Sequence, residues 1–227
     1  MSHHESTAKG PDGRMVDRML FFSDAVFAIV LTIMVLELHA PVFGEHGTTT
    51  ATDAAIWDAL ASQFRTLFAY FVSFIIVGLW WSIHMRVTRA LHVFDWPAAI
   101  VNFVFLLTVT LIPFAASVLG EGIATGAAWV LYWGVNAASS TALTLLMIVV
   151  TRDKGRLIGG MSGRERLSRI VQGIGPAVGF AVGAWAAGNG HLEYARWCWL
   201  LIPPMGIIAR FIYKQPKPQP KTEDITA

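Results

Sequence analysis

A single cysteine in 227 residues, Cys198, leaves no partner for an internal disulfide, and its apolar neighbours suit a buried filler rather than a redox group. Charge is sparse as well. Asp, Glu, Lys and Arg make up 14% of the chain, against about 25% in soluble domains, while 55% of the residues are hydrophobic. That balance excludes an ordinary water-soluble globule and indicates a membrane protein. The strict apolar–polar alternation of a barrel strand is missing too, so the spanning elements are expected to be helices, whose backbones satisfy their own hydrogen bonds in lipid. No His-Glu-x-x-His pattern or Cys/His cluster offers zinc ligands; His3, His4 and Glu5 sit in a polar terminus. "GGMSGRER" has Arg164 where a serine-hydrolase elbow needs its last glycine. An enzyme is therefore not expected, nor is a cofactor or a resident metal. The basic stretch from Arg152 to Arg169 is explained by topology and anionic lipid headgroups, without nucleic acid.

What the chain does have is length of apolar sequence. Runs at roughly 15–38, 64–90, 97–119, 127–150, 167–187 and 192–213 each approach or exceed the ~20 residues that span a bilayer, which predicts an all-α membrane protein with six transmembrane helices. Of the 17 Lys and Arg residues, only Arg65 and Arg196 fall on one side of this plan. The rest precede the first span, end the second, join the fourth to the fifth, or follow the sixth. By the positive-inside rule both termini are cytoplasmic, as an even number of spans requires. The first span has no short apolar core with a small-residue cleavage pattern, so it is expected to stay in the mature protein. The domain plan is a cytoplasmic N-terminus over 1–14, a transmembrane domain over 15–213 and a disordered, Pro-rich cytoplasmic tail over 214–227.

Between spans, the longest outside connection runs from Ala40 to Ser62. There Thr52 or Asp53 is suited to cap a short helix, and Glu45, Asp53 and Asp58 make the loop acidic. Such charge either concentrates cations at a mouth or simply keeps a loop soluble. In the fifth span Gly175, Gly179 and Gly183 recur every four residues, which predicts a close helix-packing seam. Pro203 and Pro204 predict a kink in the sixth.

The first span, "RMLFFSDAVFAIVLTIMVLEL" (residues 18–38), is the informative one. At 100° per residue, Ile29, Ile33 and Leu36 form one aliphatic stripe, extended by Ala25 and Phe22. Asp24 lies about 140° from Ile29 and Ser23 about 120° away on the other side, so the polar pair looks away from the stripe. A charge near hydrocarbon costs at least ~3 kcal/mol, which predicts buried donors for Ser23 and Asp24. His84 and Asn102 lie at similar depth and are the candidates, with Arg18 at the start of the same helix. Glu37, near the outer end, is either a mouth charge or an interfacial residue.

The residues Arg18, Phe22, Ser23 and Asp24, followed by "VFAI" and "VLEL", resemble the Arg-x-x-x-Phe-Ser-Asp signature helix of the transmembrane protein 175 family of potassium channels. "WWSIHMRVTRAL", with His84, resembles the family's second span, and "NFVFLLTVTLIPFAASVLGE" its third. The later spans resemble it only in number and hydrophobicity. The resemblance implies a homotetramer whose first helices line a central pore, in the single six-helix form of the prokaryotic members. It implies pore rings at Ile29, Ile33 and Leu36, the same stripe that helical projection isolates, and a potassium-favouring hydroxyl at Thr32. Ile33 stands where leucine is common.

The expected function is passive conduction of potassium, modestly preferred over sodium, across the cell membrane. No Thr-Val-Gly-Tyr-Gly run is present to supply rings of carbonyls, so the constriction would act by dewetting instead. The alternative is a proton channel or proton-coupled transporter using Asp24 and His84. The partners implied are potassium ions, further copies of the chain and the lipid bilayer.

Overall fold

The structure, a computed structural model, describes residues 11–39 and 52–198. In chain order its helices are α1 (Pro11–Ile33), α2 (Asp53–Ser62), α3 (Phe64–Thr88), α4 (Trp96–Thr110), α5 (Ile112–Gly122), α6 (Gly126–Val150), α7 (Arg152–Gly155), α8 (Gly163–Gly188) and α9 (Leu192–Trp197). Short 3-10 turns follow α1 at Met34–Glu37 and α7 at Arg156–Ile158. Among the described residues, five segments are long and apolar enough to cross a membrane: Gly13–Glu37, Phe64–Thr88, Trp96–Gly122, Gly126–Val150 and Gly163–Gly188. The sixth expected span opens with α9, but most of it lies outside the described residues. So do its two prolines, the tail, the His3–Glu5 terminus and Glu45.

Local sequence explains where the helices begin. Thr52, Asp95, Thr125 and Ser162 each stand in extended backbone before a helix, and each side chain accepts from the N–H three residues on. These are the residue types that satisfy otherwise unbonded N-terminal donors. Ser162, set aside above as a nucleophile, thus has a structural task, and Glu165 completes a capping-box spacing with it.

The third span is not one helix. α4 ends at Thr110, and α5 restarts beyond Leu111 with Pro113 in its first turn. Proline has no N–H to give Val109 and its ring crowds that carbonyl, so the continuous helix expected over 97–119 divides there. The second half, α5, packs on α3 and α6, whereas the first half, α4, packs on α6 and α1.

α6 and α8 form the most extensive pair. Their seam uses glycine as expected, with one shift of position. Gly175, Gly179 and Gly183 are all buried, but a Cβ on Gly179 would meet nothing within 4 Å. The close approaches are at Gly183, where a Cβ would fall 2.9 Å from Trp133 Cδ1, at Gly173, 2.8 Å from the Thr144 hydroxyl, and at Gly126 of α6, 2.7 Å from the Ala187 carbonyl of α8. Trp133 cannot move aside, because it is fully buried, stacks on Phe180 and donates from Nε1 to the Ala195 carbonyl at 3.0 Å. Gly183→Ala is therefore expected to cost about 1–3 kcal/mol through overpacking, read as a lowered melting temperature in detergent.

The ends of the bundle that carry most positive charge are clamped by one carboxylate. Asp95 caps α4 through Oδ1 and pairs through Oδ2 with Arg152, with Arg156 at 3.8 Å. The His92 N–H donates to the Leu157 carbonyl at 2.9 Å beside this pair. The left-handed backbone at Gly155 and Gly159, φ +78° at both, lets the intervening segment fold back against the helix ends.

Candidate functional site

α1 has two distinct faces. Val16, Ser23, Phe27, Val30 and Met34 are buried against α3 and α4, at spacings of seven, four, three and four residues that keep to one side of a helix. A separate side, about 130° around the helix, bears the aliphatic stripe. Ile29 is 55% exposed, Ile33 42% and Leu36 71%, and Phe22 at the foot of the stripe is exposed as well. Among the described residues this face is only partly covered, Phe22 by a tilted contact with Phe103 at 5.4 Å.

Beyond Ile33 the helix tightens. Met34–Glu37 is 3-10, with three residues per turn, so residues three apart eclipse. Leu36 consequently stays in line with Ile33, although the winding that puts it there differs from the α-helical repeat assumed in the projection. Glu37 is half-buried at the end of this turn.

Thr32 is exposed beside the stripe. Its hydroxyl hydrogen points back to its own helix, toward the carbonyls of Ala28 at 3.0 Å and Ile29 at 2.9 Å. With the donor occupied, the oxygen presents lone pairs outward. A threonine so arranged can accept from water or coordinate a cation, but has no proton left to offer.

Behind α1 the polar residues form a bonded chain. Asn102 donates from Nδ2 to Ser23 Oγ at 3.0 Å, and Ser23 donates to the Met19 carbonyl at 2.9 Å. His84 Nε2 lies 2.8 Å from Asn102 Oδ1, and since an amide oxygen only accepts, the imidazole is the donor. The ring is 1% exposed, stacked on Phe105 at 5.4 Å and tilted against Phe27 at 5.8 Å. Its Nδ1 is buried without a hydrogen bond. Three helices, α1, α3 and α4, are thus joined through a single carboxamide.

Asp24 is held differently. Its Oδ1 accepts from Trp81 Nε1 at 2.9 Å, near the protomer surface rather than within the Asn102 chain. Arg18 stands exposed, apart from both groups. The structure therefore brings Ser23, Asn102 and His84 together, sets Asp24 on Trp81, and leaves Arg18 outside. Sequence reasoning missed Trp81. The signal was available, since Trp81 lies three residues before His84 on the same helix and so shares its face toward α1.

Similarity to known proteins converges on this region. Residues 18–113 match the sequence profile of the family described as endosomal/lysosomal potassium channel TMEM175. A potassium channel of Streptomyces collinus is 31% identical over 104 residues, 46% of this chain and 47% of that protein. A potassium channel of Chryseobacterium is 29% identical over 138 residues, 61% of this chain and 66% of its own length. The endosomal/lysosomal proton channel TMEM175 of Rattus norvegicus is 31% identical over 103 residues, which cover 45% of this chain but 19% of that one. The matched stretch is thus about half of the Streptomyces relative and a fifth of the rat one. In three dimensions the chain superposes on the lysosomal potassium-selective channel TMEM175 homologue of Chamaesiphon minutus with a TM-score of 0.70 at 22% identity, over 86% of this chain and 98% of that one, which establishes a shared fold.

Proposed function

We propose that the protein, whose residues 18–113 match the TMEM175 family profile, is a passive cation channel that modestly favours potassium over sodium. The observation that carries the proposal is the exposed aliphatic stripe on α1, set about 130° around the helix from the face that packs into the chain's own bundle. One helix cannot enclose a pore. Four copies around a symmetry axis would turn Ile29, Ile33 and Leu36 into three hydrocarbon rings, and Thr32 into a ring of hydroxyl oxygens. A dry ring bars ions by expelling water, so conduction needs the rings to part until a partly hydrated cation passes. Ser23, Asn102 and His84, with Asp24 on Trp81, then serve to fix the back of the pore helix, with Arg18 at its entrance. The exposed basic ends lie in the cytoplasm in this reading, the 15–213 segment forms the channel domain of a plasma membrane protein, and 1–14 and 214–227 flank it on the cytoplasmic side.

Planar-bilayer recording of purified protein, with potassium on one side and sodium on the other, tests the proposal. Cation current with a reversal potential displaced toward the potassium equilibrium value is expected; silence under both ions would reject it. Thr32→Ala removes the outward lone pairs while leaving the rings intact. A contact of this kind is worth about 0.5–1.5 kcal/mol, so the potassium-to-sodium permeability ratio should fall about threefold, measured under bi-ionic conditions.

A second reading is favoured by the vertebrate relatives named as proton channels. It would use Asp24 and His84. Between Ser23 and His84, however, stands the carboxamide of Asn102, a poor proton carrier, and Asp24 bonds an indole instead of the imidazole. Reversal potentials that track the proton gradient and ignore potassium would establish this alternative.

A further inference from the structure

Along α8 the exposed apolar side chains fall on one line. Leu167, Val171, Ile174, Val178, Val182 and Trp185 succeed one another at steps of four, three, four, four and three residues, which keep a helix face straight, and all six are exposed. From Leu167 to Val178 the rise is about 16 Å, close to half of a ~30 Å hydrocarbon core and so to the depth of one leaflet.

The foot of that line is flanked by two guanidinium groups. In projection Arg164 lies about 60° to one side of Leu167 and Arg166 about 100° to the other. Arg164 is exposed; Arg166 is half-buried, and its Nε is buried with no hydrogen bond. Among the described residues the local carboxylates are already engaged. Between Thr151 and Gly190 the sequence has only Asp153 and Glu165. Glu165 accepts from Arg169 at 2.8 Å, and Asp153 lies 3.8 Å from Arg152. Asp95, from the neighbouring loop, takes Arg152 and Arg156. Among the described residues neither Arg164 nor Arg166 has a carboxylate left to pair with, so an anion from outside the chain can complete the two guanidinium groups.

We propose that α8 carries a site for one anionic glycerophospholipid, its phosphate between Arg164 and Arg166 and one acyl chain along Leu167, Val171, Ile174 and Val178. The charge selects the headgroup, and the leaflet-length stripe selects a lipid over a small anion. This inference is independent of the pore.

Native mass spectrometry of the full chain, released from micelles containing equal dioleoylphosphatidylglycerol and dioleoylphosphatidylcholine, tests it. The anionic lipid should be retained preferentially, and Arg164→Gln and Arg166→Gln should each weaken retention about fivefold, the equivalent of ~1 kcal/mol per arginine near an anionic lipid surface. Arg164 is exposed, so its variant keeps the test valid if Arg166→Gln fails to fold. Equal retention of both lipids, wild-type retention by Arg164→Gln, or displacement by millimolar inorganic phosphate would each overturn the site. A nitroxide at Ile174→Cys, in a Cys198→Ser background, should be open to oxygen dissolved in a bilayer. Shielding there would mean that residues 199–213 or a second copy occupies the stripe, and the lipid site would be wrong.

Discussion

Ile29→Asn is expected to raise the resting leak of reconstituted protein by at least about tenfold. Ile29 is the first in the chain of the three expected ring residues and is 55% exposed in the single chain. Around a symmetry axis, each isoleucine contributes apolar surface whose wetting is disfavoured, by about 1.5–3 kcal/mol for a fully hydrated side chain. An amide in its place hydrogen-bonds water, and it does so in every copy at once. Only about 1.4 kcal/mol need leave the barrier for a tenfold change in rate, so even a partial effect from one subunit suffices. The volume of asparagine is smaller, but a cavity alone would widen the ring without holding water. Ile29→Ala is therefore the control, with a leak below that of Ile29→Asn despite its smaller side chain. The measurement is potassium flux from liposomes without any opening stimulus. Indistinguishable wild-type and Ile29→Asn leaks would remove the stripe from the permeation path, and with it the central feature of the proposed pore.

The second large effect concerns folding. Asn102→Ala, which removes two buried hydrogen bonds, should lower stability by about 2 kcal/mol, whereas Ser23→Ala, which removes one of them and strands only Asn102 Nδ2, should cost about 1 kcal/mol. The asymmetry follows from what each deletion strands. Without Asn102, Ser23 keeps its bond to the Met19 carbonyl, so its donor remains satisfied. His84 is left worse off. Its Nδ1 already lacks a partner, and Nε2 would lose its only acceptor while the ring stays sealed between Phe27 and Phe105. A buried donor with nothing to bond costs about 1–3 kcal/mol. Thermal unfolding in detergent, followed with size-exclusion profiles, would compare the two variants. Equal losses would mean that the carboxamide is not the hub of the network.

Much of this arrangement was legible before any coordinates. Long apolar runs marked the membrane helices because lipid leaves the backbone few options, and the stripe at Ile29, Ile33 and Leu36 emerged from helical repeat alone. Ser23, Asp24, His84 and Asn102 were expected as one group with Arg18 because polar side chains at one depth in an apolar span have few other partners, whereas the structure joins Ser23, Asn102 and His84 and sets Asp24 on Trp81. Other features depend on partners distant in the chain. Nothing local to Asp95 announces that it will clamp Arg152, and nothing at Gly173 announces Thr144. Pro113 was visible, yet hydropathy runs through it without a break, so the division between α4 and α5 is lost when span length is judged by hydrophobicity. The tight turn at Met34–Glu37 was hidden for a similar reason: Met34, Val35 and Leu36 are as apolar as the helix before them.

That turn sets the geometry of the proposed passage. Four α-helical residues separate Ile29 from Ile33, a climb of about 6 Å, and three 3-10 residues carry the chain another ~6 Å to Leu36, so the barriers are evenly staged. Relaxing the turn into α-helix would draw Leu36 back by about 1.5 Å and swing it some ~60° while Ile29 and Ile33 stood still. The outermost barrier can therefore be retuned by rewinding four residues, with no need to shift the bundle that holds the other two.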